Sequence, residues 1–155
     1  MKQPILLIFL FSFCLISCNQ NKIFEKYIDI SNYKWNREST INFEVNIENT
    51  DYDYDVYVAV RHTVFYLYSD LLISVTVLYP NGEIRIKDHS LLLKDADGTF
   101  KGEGMGDIYD LEIPLAKNVK FPQSGIYIYK IQNIMPRPET ANIMQVGLIV
   151  KRSKK

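Results

Sequence analysis

The stretch Ile41-Asn42-Phe43-Glu44-Val45-Asn46-Ile47-Glu48 alternates apolar and polar residues across eight positions without a break. A side-chain period of two belongs to an extended strand with one dry and one wet face. The same signal recurs outward along the chain. Val56, Val58 and Val60 alternate with Tyr57 and Arg61. Leu71-Leu72-Ile73-Ser74-Val75-Thr76-Val77-Leu78-Tyr79 is β-branched and more apolar, as a central strand would be. Pro80-Asn81-Gly82 reads as a turn, because Pro presets the first φ and Asn-Gly accepts positive φ. Ile84-Arg85-Ile86-Lys87 then returns as the next strand. Leu111 to Leu115 is a strand with Pro114 embedded, which marks a sheet edge. Tyr127, Tyr129 and Ile131 line one face of the strand that follows, and Met144, Val146, Leu148 and Val150 line the last.

About seven to eight strands with frequent turns, and no sustained helical period, predict a single all-β domain. The expected form is an antiparallel β-sandwich of immunoglobulin-like kind. Ser124-Gly125-Ile126-Tyr127 resembles a tyrosine corner, in which a Tyr hydroxyl bonds back to an upstream backbone group. The chain has 155 residues, enough for one domain, with 47% hydrophobic and 13% aromatic content to build its core. Its 18 Lys+Arg balance 18 Asp+Glu, which argues against a general nucleic-acid binder.

The first residues read differently. Lys2 precedes an uncharged run from Pro4 to Ile16, 13 residues that are too few to span a bilayer as a helix, which takes about 20. This is the length of a signal-peptide apolar segment. Leu15-Ile16-Ser17-Cys18 ends it in the pattern of a bacterial lipobox, with a small residue before a cysteine. We therefore expect cleavage after Ser17 and diacylglycerol on the Cys18 sulfur, with palmitate-type acyl chains. Cys14 leaves with residues 1–17, so no thiol remains for a disulfide or a zinc site. Residues 18–22 form a tether reaching at most about 17 Å, residues 23–151 the folded domain, and residues 152–155 a basic, solvated tail.

Few residues suggest chemistry. Asp51, Asp53 and Asp55 have the alternate spacing of a calcium loop, but Val56 and His62 stand where an EF-hand needs Gly and Glu. Asp95, Asp97 and Gly98 read as a turn whose carboxylates bond their own backbone, with cation binding alongside Asp107 the less favoured reading. Gly102, Gly104 and Gly106 are not a dinucleotide fingerprint, since the third glycine comes one residue early and no βαβ unit surrounds it. They suit a bulge or a close backbone crossing, and could leave bare backbone for a partner. Tyr57, Tyr66 and Tyr68 near Trp35 could stack on a sugar, although packing is the commoner role. His62 and His89 lie on different strands without a zinc motif. No cofactor, metal or catalytic residue is expected.

Read in order, several strings resemble the gliding motility lipoprotein GldH family of Bacteroidetes. They are Tyr33-Lys34-Trp35, Val58-Ala59-Val60-Arg61, Tyr68 to Ile73, Pro80-Asn81-Gly82, Asp95 to Ile108, Phe121 to Tyr127 and Val146-Gly147-Leu148. The segment from Asp95 to Ile108 is the most specific. His62-Thr63-Val64-Phe65 and Ile134 to Pro138 depart from the family pattern. The resemblance implies a non-enzymatic, lipid-anchored accessory of the gliding and type IX secretion machinery. Its expected place is the outer membrane facing the periplasm, and its partners are the membrane, through Cys18, and other envelope proteins. Neither nucleic acid nor a small-molecule ligand is expected. The alternative is a tethered module that binds carbohydrate or another ligand.

Overall fold

The computed structural model describes residues 21–154. Eleven strands follow in order: β1 (Lys22–Asp29), β2 (Lys34–Asn36), β3 (Thr40–Ile47), β4 (Tyr54–Thr63), β5 (Asp70–Leu78), β6 (Ile84–Leu92), β7 (Glu103–Met105), β8 (Ile108–Val119), β9 (Gly125–Asn133), β10 (Glu139–Ala141) and β11 (Ile143–Arg152). Three of these, β2, β7 and β10, have only three residues each. A one-turn 3-10 helix, Ser31–Tyr33, joins β1 to β2. Every strand pairing is antiparallel. The described residues therefore form an all-β body, and the alternation at residues 41–48 is the rule that builds it.

One sheet runs β1-β11-β4-β8-β7, a second β3-β9-β5-β6, and β10 pairs with β2 in a third. The two larger sheets share one core. Val56, Val58 and Val60 from one sheet, and Phe43, Val45 and Ile47 from the other, are all at most 2% exposed. Burying a side chain of this size contributes roughly 1.5–3 kcal/mol. Leu71, Ile73 and Val75 project into the same core from β5, which lies between β9 and β6 as the sequence predicts. Tyr127 donates from its hydroxyl to the Gln123 carbonyl at 2.8 Å, the backward bond expected of it.

Pro114 also sits where expected. β7 pairs only with residues 108–110 of β8, so Pro114 lies on a free edge where the missing N–H costs no ladder bond. The last strand departs by one residue. A register shift between Ile143 and Gln145 places Ile143, not Met144, in the core, because a bulge adds one residue and reverses the facing on one side of it. Val146, Leu148 and Val150 keep their expected inward positions. β11 continues through Arg152, and Ser153 donates to Asp53 O and, from its hydroxyl, to Asp55 Oδ1. The basic C-terminal segment is thus tied to the domain as far as Ser153. Trp35 and Tyr66, both 1% exposed, are core residues and not sugar platforms.

Candidate interaction face

Cross-strand register sets the outer face of the five-stranded sheet. Asp29, Gln145, Arg61, Asp110 and Glu103 stand side by side, one from each strand. Side chains on neighbouring strands at one level lie within reach of each other, and two pairs in this row are hydrogen-bonded. Gln145 Nε2 donates to Asp29 Oδ1 at 2.7 Å. Arg61 grips Asp110 with Nε at 2.7 Å and a terminal nitrogen at 2.9 Å. The pair is about half exposed, which limits its worth to about 0–1 kcal/mol. Its planar fork does hold both groups in one orientation.

The next row is Tyr27, Gly147, Ala59 and Glu112. Here the floor has almost no side chains, and the Tyr27 ring lies over Gly147. A Cβ at Gly147 would overlap that ring, so glycine is required by close approach. Beyond it, Lys151 bonds Glu112 at 2.7 Å and stands 4.8 Å over the Tyr57 ring. The outcome is a trench of about 720 Å³ that crosses the strands. Tyr27 remains a neutral donor. Burial first, then the Glu25 carboxylate that accepts its hydroxyl at 2.8 Å, push its pKa up.

The glycine segment closes one end of this trench. Asp95 and Thr99 bond across a turn, Asp97 Oδ1 accepts the Thr99 N–H at 2.9 Å, and Asp95 pairs with Lys101 at 2.8 Å. Gly98 donates to Asp95 O inside the same turn. The Asp97 carboxylate bonds the turn's own backbone as expected, whereas that of Asp95 pairs instead with the Lys101 side chain, and Asp107 lies apart, its carbonyl accepting from Val64 N. Among the described residues no group of three or more His, Cys, Asp or Glu is placed to hold a metal ion. Gly106 and Asp107 link β7 to β8. Gly102 has φ +90°, and a Cβ there would overlap the Asp110 carbonyl oxygen. The expected close backbone crossing is thus real, and it seats Gly102 and Glu103 at the rim.

Sequence reasoning missed the residues that pin this arm. Phe100 packs 4.9 Å from the ring of His62, with Tyr109 and Tyr66 rings on its other sides. His62 is fully buried; its Nδ1 meets Thr63 O at 3.0 Å, and its Nε2 has no partner among the described residues. Burial lowers the His62 pKa against the opposing pull of the Thr63 carbonyl, with nearby Lys94 lowering it further. His89 is lowered too, by burial and then by Lys87. The unfolded chain therefore takes up these protons first. Stability is expected to fall as pH drops below about 6.5, towards the depressed folded values. Urea midpoints at pH 7.5 and 5.2 should differ in the wild type and differ clearly less in His62→Phe. Equal slopes in both proteins would refute this.

Cys18 and its flank Leu15, Ile16 and Ser17 lie outside the described residues. Among the described residues no helix is long and apolar enough to cross a membrane.

Fold and face together define an all-strand domain with a polar, ion-paired outer face. The model of the GldH lipoprotein family matches residues 22–150, and the chain belongs to that family. It is 29% identical to "Gliding motility lipoprotein GldH homolog" of Christiangramia forsetii, over 94% of this chain and 95% of that protein. It is 24% identical to "Gliding motility lipoprotein GldH" of Flavobacterium johnsoniae, over 69% of this chain and 67% of that one. Among solved structures, one titled "Structure of infectious bursal disease virus Gx strain" aligns to 86% of this chain and 33% of its own. It does so at 9% identity and a TM-score of 0.30, which carries no fold assignment. Family membership makes this a gliding motility lipoprotein, held in the cell envelope by a membrane anchor.

Proposed function

We propose that the chain is cut after Ser17 and acylated on Cys18, and that it serves the gliding and type IX secretion machinery as a non-enzymatic docking part. The body is an immunoglobulin-like β-sandwich standing at the outer membrane and facing the periplasm. Other envelope proteins bind its outer face, with the segment from Asp95 to Asp107 as one contact edge. The observation that carries this reading is where the chain enters the fold. Arg152 N donates to Asn21 O at 2.7 Å, and Lys22 pairs with Lys151. Three residue steps from Cys18 to Asn21 span at most about 11 Å. Acyl chains contribute about 0.8 kcal/mol per buried methylene, so they would hold this end of the sheets close to the bilayer.

The test replaces residues 1–17 by an ordinary cleavable secretory leader and pairs this with Cys18→Ala. The variant is expected to keep its melting profile, move to the soluble envelope fraction, and fail to restore gliding or secretion in a deletion strain. Retention in carbonate-washed membranes would sink the reading.

The trench favours a second reading. A floor of small residues, an aromatic ring 40% exposed and planar hydrogen-bonding groups suit a neutral polyol. Saturable binding of the full chain on a glycan array, abolished by Tyr27→Ala, would establish a carbohydrate-binding module instead.

A further inference from the structure

β6 is set into its sheet against its own hydrophobic pattern. Register pairs Ile84 with Leu78 and Ile86 with Thr76 on the outer face, leaving the two isoleucines 59% and 68% exposed. The inward positions opposite Val77, Val75 and Ile73 hold Arg85, Lys87 and His89. A one-residue slip would bury the isoleucines. It is forbidden because Leu91 and Leu93, 1% and 0% exposed, would leave the core. An arrangement that breaks the local rule while the rest of the strand obeys it is where function or strain is expected.

The space beside these cations is open. β6 ends the four-stranded sheet, and among the described residues β8 beyond residue 110 has no partner on its outer side. Between these two free edges lies a cavity of about 260 Å³. Val56, Val75, Leu115 and Phe121 make an apolar floor, and Tyr129 brings a hydroxyl with no hydrogen-bond partner among the described residues. The lining contains three basic side chains and no carboxylate, in a chain whose formal net charge is zero. Arg85 is steadied at the mouth by Glu83 at 2.7 Å and by the Tyr79 ring at 4.7 Å. Lys87 forms no ion pair among the described residues. Burial and Lys87 keep His89 neutral at neutral pH, so Arg85 and Lys87 carry the charge. One inward lysine suffices to guard a free edge against strand addition. That guarding role leaves the cavity and the second cation without a purpose.

We propose that this seam binds a fatty-acyl carboxylate, its chain among the valines and Phe121 and its anionic head between Lys87 and Arg85. Apolar burial supplies the attraction, and the charge-assisted hydrogen bonds select an anionic head.

The test uses the full-length protein in phosphatidylcholine nanodiscs with tetradecanoic acid carrying a chain-terminal diazirine. Photolabelling should saturate and map to residues 73–79 or 113–121. Arg85→Glu with Lys87→Glu should weaken it about tenfold or more, and the tetradecanol analogue should label about tenfold less, as loss of a charge-assisted bond implies. Ala116→Phe, which fills the cavity without touching charge, should abolish labelling; melting curves identify any variant that fails to fold. Labelling that ignores head-group charge and both variants, or that maps elsewhere, overturns the proposal. So does displacement by an acidic, alternating peptide but not by unlabelled tetradecanoate, which would assign the seam to a strand-adding partner.

Discussion

Gly102→Val is expected to lower the unfolding free energy by about 3 kcal/mol and to loosen the arm from residue 94 to 107. Two costs combine. A β-branched residue at positive φ is strained by about 1–3 kcal/mol. The new Cβ would also overlap the Asp110 carbonyl, a main-chain atom held in the β4–β8 ladder that has little freedom to retreat. The overpacking that results costs about 1–3 kcal/mol more. Gly104→Val should be milder, because its Cβ meets the Tyr109 ring at 2.8 Å and a side chain can swing aside. Urea denaturation with limited proteolysis distinguishes the two. Equal midpoints for Gly102→Val and wild type would show that the crossing is not tight.

The second large effect is expected at Asn133. Its side chain is fully buried and joins three chain segments. Nδ2 donates to Trp35 O at 2.9 Å and to Thr140 Oγ1 at 2.8 Å, and Oδ1 accepts from Met135 N at 2.9 Å. Asn133→Leu keeps the volume but leaves a buried hydroxyl and N–H without this partner, and takes one bond from the Trp35 carbonyl, which also faces Thr140 across the β2–β10 pairing. At about 1–3 kcal/mol for each group left wanting, partly offset by relaxation, the loss should reach about 4 kcal/mol. The damage should centre on the small β2–β10 sheet. Trp35 is the single tryptophan and sits on β2, so its emission should shift to the red before the rest of the domain unfolds. Wild-type emission together with an unchanged urea midpoint would show that the network does not hold that sheet.

Much of the framework was legible because alternation is a local property. Val56, Val58 and Val60 face the core as their spacing requires, and the Pro80-Asn81-Gly82 turn closes through Gly82 N to Tyr79 O and Glu83 N to Asn81 Oδ1. Pro114 marked an edge because a missing N–H is tolerated only there. The glycine run was legible as a close crossing, though not what it crosses, since Asp110 becomes its neighbour only through the β7–β8 pairing. His62 carried no signal: its aromatic surroundings come from residues 66, 100 and 109, which meet only in the folded chain.

The amino-acid order alone determined an all-strand body, its main turns and its membership of a lipoprotein family, because each rests on neighbours in the chain. Tertiary structure alone decided which side of a strand faces inward where pattern and packing disagree. At β6 two leucines outweigh two isoleucines, since Leu91 and Leu93 have a core to fill and Ile84 and Ile86 do not. The bulge at Met144 settles the facing of β11 in the same way, by the partners it meets across the sheet.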